Sequence, residues 1–563
     1  MLEHYRSRVF LALLTLVTLA SSVIIFIPNA SSTTAGLPKS GGAAISARPV
    51  ERSQTQQSPQ PVQIRKQAIP DQGQANPAVG AIKPPSALPP SIRKEEATPV
   101  AGPELAGMPT LIHTVKPGES VGAIAYRYLP QTMFMMTGEL EAAIRHANPA
   151  LTAKHLQPGQ PIVIPGIETA PAADLRPAPM PKNAEVRAIY LTGWTAGSSH
   201  GLEIIRRWRD LGGNAVVFDL KDFDGLVSVA FSHPLAPEKQ RPPIRSLAKL
   251  VRFLRRLGLQ SIGRIALFRD EQMATHHPEL AVQSRRAKGP WRENGKQVWT
   301  DPSRREVQDY NIALAKHAAE AGIDEVQFDY VRFPAEGDQA DAEFAFQSEH
   351  PQGTRTKVIS DFLERAYAQL HPLGVLVSLD VFGVMAWQRP VDLAHTGQDI
   401  ATMARFCDVL SPMIYPSHFF GMDGFAKPGD APEHFISESM DRFRKVTATT
   451  EVVLRPWLQA FAWRTKTYSP GYIRTQAKIA EEKGGIGFLF WNARNDYATP
   501  FLAMIEMRSA ASKASHRDQT QPRPDEKSPA AVPPSGPPTG QIALPQPTAS
   551  MAHSKAETAA PSQ

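Results

Sequence analysis

Aspartates, arginines and aromatic residues close a series of short apolar runs between residues 186 and 494, where an apolar strand interior has little use for them. Trp194 ends VRAIYLTGW; Asp219, Lys221 and Asp222 lie in AVVFDLKD; Arg269 and Asp270 end SIGRIALFRD; Asp329 and Arg332 lie in EVQFDYVRFP. Further on come Asp380 in VLVSLDVFG, Tyr415 and His418 in DVLSPMIYPSHF, Trp457 and Gln459 in EVVLRPWLQAF, and Trp491 and Asn492 in GIGFLFWNAR. An unpaired ion buried mid-strand is costly, so these positions read as places where a strand meets a pocket. Two placed carboxylates can act as acid and as nucleophile or base on a glycosidic bond, about 5–5.5 Å apart for retention and about 6.5–9.5 Å for inversion. Trp194, Tyr415, Trp457 and Trp491 suit stacking against sugar rings. Other chemistries lack their motifs: there is no H-E-x-x-H, no paired histidines at metal spacing, no G-x-S-x-G and no P-loop. Neither metal nor cofactor is expected.

The elements that must position these groups follow from periodicity. Between the apolar runs lie amphipathic stretches such as GLEIIRRWRDLGG, IRSLAKLVRFLRRLGL and KVISDFLERAYAQLHPLG, several ending in the glycine expected just past a helix. Eight strand–helix units over residues 184–507 predict an α/β fold, a (β/α)8 TIM-type barrel. Its C-terminal strand ends open on one face, where barrel sites lie. Asp329 and Asp380 fall on the fourth and fifth strands, neighbours about 4.8 Å apart, and by parity share faces with Gln327 and Ser378 respectively. Arg332 has the opposite parity to Asp329, so it reaches the site only if the chain bends before Pro334.

The rest of the chain divides by composition. Residues 1–28 carry Arg6 and Arg8 before an apolar run over 9–27, a signal peptide or signal anchor whose length just reaches the hydrocarbon thickness of about 30 Å. The positive flank directs the downstream chain out of the cytoplasm, so the expected place is periplasmic or otherwise extracytoplasmic, with 9–27 anchoring it in the inner membrane. Residues 29–108 and 508–563 are Pro-rich and poor in aromatics, as expected of a disordered linker and tail; a shorter Pro/Ala linker spans 167–183. The formal charge of +7 comes without a dense basic stripe, so nucleic acid is not an expected partner, and the lone Cys407 allows no intramolecular disulfide.

Residues 110–166 read as strand, helix, helix, strand, with Ser120 capping the first helix. The words HTVKPGES, AIAYRY, IRHANP and LQPGQPIVIP resemble the LysM fold. That resemblance implies binding to peptidoglycan or other N-acetylglucosamine-containing glycans, although LPQTMFMMTGEL between the helices is longer and richer in Met than usual.

The barrel words RAIYLTGWTAG, NAVVFDLKD, FDYVRFP, SLDVFG, SPMIYPSHF and GFLFWNA, over about 186–500, resemble a family of uncharacterised barrels described as glycoside hydrolases and distantly similar to the α-amylase-like superfamily. The resemblance implies Asp329 as nucleophile. Such barrels usually carry a Glu acid on the fifth strand, where this chain has Asp380; Asp219, Asp222 and Glu336 are the alternative carboxylates. Asp329 and Asp380 are the expected catalytic pair, and Trp194, Asp219, Lys221, Asp222, Arg332, Tyr415, His418, Trp457, Gln459, Trp491 and Asn492 the expected substrate-binding set. The expected activity is hydrolysis of a cell-envelope polysaccharide, with the LysM-like module holding the enzyme on peptidoglycan. A non-catalytic glycan-binding scaffold with a degenerate barrel is the alternative, and a lyase or transglycosidase a third.

Overall fold

The computed structural model describes residues 107–151, 156–168 and 175–520. The anchor or signal at 1–28, nearly all of the linker at 29–108 and the tail beyond 520 lie outside the described residues. Among the described residues no helix is long and apolar enough to cross a membrane. The chain divides into two compact units, Met1–Arg508 and Ser509–Gln563, and the LysM-like fold and the barrel both belong to the first. The second is described only where it forms the end of the last helix.

The small fold runs β1 (Thr110–Thr114), α1 (Val121–Tyr128), α2 (Thr137–Ala147) and β2 (Pro161–Pro165), with β1 and β2 antiparallel from Thr110↔Pro165 to Thr114↔Pro161. Ser120 Oγ accepts from Ala123 N and so starts α1. Asn148 ends α2: its amide donates to Ile144 O and Val163 O, and its Oδ1 accepts from Val163 N, tying the helix to β2. Val121, Ile124, Leu140, Ile144, Ile162 and Ile164 make the core.

The Met-rich stretch between α1 and α2 has a structural use. Met135 and Met136 pack on the core of the barrel, where flexible thioether chains fit an irregular join. Around them Lys249 donates to Leu129 O, Arg256 to Met133 O at 2.8 Å, and Arg206 reaches Glu139 at 2.6 Å. Arg252 and Arg256 both hold Glu168, each at 2.7 Å. The LysM-like fold is therefore docked on the barrel. The segment read as a linker from 167 is not free at either described end: Ile167 bridges to Thr132, and Met180 N bonds Gln260 Oε1 beneath the barrel.

The barrel strands are β3 (Val186–Leu191), β4 (Ala215–Lys221), β5 (Gln260–Ala266), β6 (Glu325–Asp329), β7 (Leu376–Phe382), β8 (Val409–Ile414), β9 (Val453–Leu454 and Trp457–Gln459, two halves interrupted at Arg455–Pro456) and β10 (Gly487–Trp491). All pair in parallel, and β10–β3 together with β7–β8 close the ring. Outside it lie α3 (Ser199–Asp210), α4 (Leu247–Arg256), α5 (Arg305–Glu320), α6 (Arg355–Leu370), α7 (Pro432–Val446), α8 (Pro470–Glu482) and the start of α9 (Ala498–Thr520), a helix that runs past the expected boundary at 507.

Alternation decides what faces inward. Val216, Phe218, Val326, Phe328, Leu379 and Val381 join the layer under the helices. Val186, Ala188, Tyr190, Val217, Ile262, Trp457 and Leu489 fill the lumen. Most strands end earlier than the apolar runs did. Trp194 lies on the short helix Gly193–Ala196, and Tyr415 and His418 frame a 3-10 turn beyond β8.

Candidate active site

One arginine organises the open end of the lumen. Arg264, on β5, donates to Asp329 Oδ2 from Nε at 3.0 Å and from Nη2 at 2.7 Å. Its Nη1 donates to Asp219 Oδ1 and lies 3.8 Å from Asp222, while its Nε is 3.9 Å from Asp380 Oδ2. The register explains the gathering: Asp219 pairs with Arg264 across β4 and β5, Ala266 with Asp329 across β5 and β6, and Phe328 with Leu379 across β6 and β7, so Asp329 and Asp380 follow side by side. Sharing one Nε atom holds the Asp329 and Asp380 carboxyl oxygens within about 7 Å, a limit that admits the retaining spacing of about 5–5.5 Å and the near edge of the inverting range.

A single guanidinium cannot offset four carboxylates, three of them buried. Burial, with the Asp222 charge added, pushes Asp219 up to about 8. Burial, with the Asp329 charge added, holds Asp380 well above the usual carboxylate range. Asp380 Oδ1 accepts from Trp457 Nε1 at 2.7 Å, and Asp219 Oδ2 accepts from the Tyr190 hydroxyl. Tyr190 stacks on Trp491 with ring centres 4.1 Å apart, and Trp457 stands edge-on to Trp491 at 5.5 Å. The arrangement therefore sets Asp329, bonded twice to Arg264, beside Asp380, whose carboxyl is pushed up. Two carboxyls so placed can work as base or nucleophile and as proton donor.

The sequence-predicted residues divide by where the barrel puts them. Asp219, Asp222, Asp329, Asp380, Trp457 and Trp491 meet around Arg264, and Tyr415 joins Trp457 in the lumen. Trp457 is 1% exposed, so it orients Asp380 rather than offering a face to a sugar. Trp194 is 63% exposed and outside that cluster.

Lys221 is not with the carboxylates. A bulge between Asp219 and Lys221 shifts the register, and Lys221 Nζ turns outward to Leu267 O and, at 2.7 Å, to Asp270. Gln459 and Asn492 are spent on loops: Gln459 binds Ser417 N, Phe461 O and Thr465, and Asn492 binds Ala460 O, Asp496 O and Arg494 N. His418 sits among Tyr415, Phe461 and Trp463.

Arg332 does not pair with Asp329 either. Tyr330, at φ 52, bends the chain in the left-handed region directly after β6, with its N–H on Asp329 Oδ1 at 2.6 Å. The bend brings the Arg332 guanidinium over Phe382, Trp299 and Tyr330 instead.

Sequence reasoning missed Tyr190, which bonds Asp219, and above all Arg264. The signal was present: a charge at lumen parity inside SIGRIALF, the same anomaly that marked Asp329.

With this geometry in hand, comparison places the chain. The family model described as "Putative glycosyl hydrolase domain" matches residues 188–497, and the chain belongs to that family of glycosidases. A LysM domain matches 113–165. A hypothetical protein from Ruminiclostridium thermocellum ATCC 27405 is 34% identical, covering 34% of this chain and 97% of its own, at a TM-score of 0.31. The glycoside hydrolase domain of PgaB (BpsB) from Bordetella bronchiseptica is 16% identical over 59% of this chain and 97% of its own, at 0.42. The spore cortex-lytic enzyme SleL of Bacillus megaterium QM B1551 is 13% identical over 70% and 86%, at 0.35. No curated protein matches.

Proposed function

We propose that the barrel hydrolyses O-glycosidic bonds of a cell-envelope polysaccharide with Asp329 as nucleophile or base and Asp380 as general acid. The observation that carries this reading is the pairing of Asp329, bonded twice to Arg264, with Asp380, buried beside it on the next strand and pushed well above the usual carboxylate range. Trp457 aims Asp380, Arg264 sets the Asp329 carboxylate, and Trp491, Tyr415, Asp222 and the exposed Trp194 form the sugar-facing rim. Asp219, with its pKa near 8, is the reserve proton donor. The LysM-like module holds the enzyme on peptidoglycan, and the apolar run at 9–27 exports it and tethers it in the inner membrane. The test is sugar release from a panel of envelope glycans: wild type releases product and Asp329→Asn does not, whereas full activity in Asp329→Asn ends the assignment.

A second reading, glycan binding without turnover, draws on one observation. Asp219, Asp329 and Asp380 are 0%, 6% and 1% exposed, with Arg264 buried between them. Retention on purified sacculi with no product released would favour it.

A further inference from the structure

Arg264 has more carboxylates than it can satisfy; two other arginines at the same end of the barrel have none. Arg269, beyond β5, and Arg332, beyond β6, are 7% and 8% exposed. Each makes a single hydrogen bond to a carbonyl, Arg269 to Phe223 O at 3.4 Å and Arg332 to Phe333 O at 3.1 Å. Among the described residues neither has a carboxylate within 4.0 Å.

Aromatic rings hold both guanidiniums in place. Arg332 lies 4.4 Å from the centre of Phe382, 4.9 Å from Trp299 and 5.3 Å from Tyr330. Arg269 lies 4.6 Å from Phe223 and 5.9 Å from the same Tyr330 ring. A buried cation normally finds an anion, because desolvation without pairing is expensive. Ring faces offset part of that penalty and leave the N–H donors unspent.

The acids that face the pair do not neutralise it. Asp329 is committed to Arg264. Glu293 accepts from Trp299 Nε1 at 2.9 Å. Glu336, half-buried, is pushed up to about 7 by burial and by Glu293, so at neutral pH it carries only part of a charge. Two buried guanidiniums thus lie near Glu293 and Glu336 without bonding either, a few residues from Asp329.

We infer that Arg269 and Arg332, bracketing Tyr330, form a subsite for a carboxylate borne by the substrate, so that the glycan cleaved is an acidic one. The inference rests on the glycosidase reading for its place beside the scissile bond, but the carboxylate contact can be measured without turnover. A planar carboxylate matches the donor fork of a guanidinium. The carboxylate recognised could be that of a lactyl-bearing amino sugar or of a uronic acid.

The test is binding to the full chain carrying Asp329→Asn. One ligand is peptide-free glycan strands of alternating N-acetylglucosamine and N-acetylmuramic acid, a second is oligogalacturonate, and each is compared with the same material after its carboxyl groups are reduced to alcohols. The charged form of at least one is expected to bind about tenfold or more tightly, the worth of a charge-assisted hydrogen bond. That preference should shrink at high salt and in Arg332→Gln and Arg269→Gln, and partly survive in Arg332→Lys. Because the LysM-like module is the same in every variant, the deciding readout is the change in this preference from the Asp329→Asn chain to its Arg269 and Arg332 derivatives. Equal affinity for both forms, no binding of either, or a preference that persists when both arginines are Gln would overturn the inference. Circular dichroism checks that each variant is folded. A carboxylate preference in a wild-type chain that releases no sugar would defeat the glycosidase reading and leave this one standing.

Discussion

The two ends of the barrel lumen solve the problem of buried charge in opposite ways. At the closed end Arg455 meets Glu325 at 2.8 Å, with Gln260 supporting the same oxygen at 3.1 Å, and both charged residues are 0% exposed. That is one cation for one anion. At the open end a single Arg264 stands within 4.0 Å of four aspartates. The closed end is balanced and therefore structural. The open end is in surplus, and burial together with that surplus pushes Asp219 and Asp380 up, the shift that the proposed acid–base chemistry would draw on. Matching ion against ion leaves no such surplus; mismatching them raises the pKa of the surplus carboxyls.

The sharpest way to break the contrast is at the open end. Asp329→Asn should lower glycan hydrolysis by about 10²–10⁴-fold while shifting the unfolding midpoint less than a lost ion pair would, since Asp219 and Asp380 remain beside Arg264 to take up its charge. The reverse pattern belongs to the closed end. Arg455→Met should strand Glu325 in the lumen and reduce stability by about 3–5 kcal/mol in urea titrations. Adding Glu325→Leu should restore most of the loss.

Proton linkage separates the two ends again. Asp219 has a folded pKa near 8 against 3.8 for an ordinary aspartate, so between those values the folded chain holds a proton that the unfolded chain has released. Stability must therefore fall as pH rises through that window, and Asp219→Asn should flatten this fall in melting profiles. His418, held down to about 4 from 6.5 by burial and then by Arg464, acts with the opposite sign. Below pH 6.5 the unfolded chain takes up a proton that the folded chain refuses, so stability drops on acidification toward 4. His418→Phe should remove that acid limb. The smallest effect belongs to the join with the LysM-like fold: Arg206→Gln should cost about 1 kcal/mol or less, because its partner Glu139 is partly solvated.

Much of this was legible before any folding. The alternation of apolar runs with amphipathic stretches implied eight strand–helix units, and the aspartates on neighbouring runs implied a shared site. Direction at single positions could not be read. Lys221 has the lumen parity of Asp219, yet a bulge turns it out to Asp270. Arg332 needed a bend, which Tyr330 supplies with a left-handed backbone that no periodicity announces in a tyrosine. Gln459 and Asn492 look like polar rim residues but donate to carbonyls of the loops they begin, Phe461 O and Asp496 O. The Met-rich departure from the LysM pattern made sense only once the barrel was there to receive Met135 and Met136.

By itself, then, the sequence determined the fold class and the residue types at the strand ends, because both arise from periodicities of 2 and 3.6 that the chain carries locally. Only the tertiary structure decided which charge meets which. Closing the ring brings β4, β5, β6 and β7 into register, and that register makes Arg264 the common neighbour of four aspartates while Arg269 and Arg332 are left facing rings. Coulombic balance depends on distances between residues far apart in the chain, so it exists only after the barrel has closed.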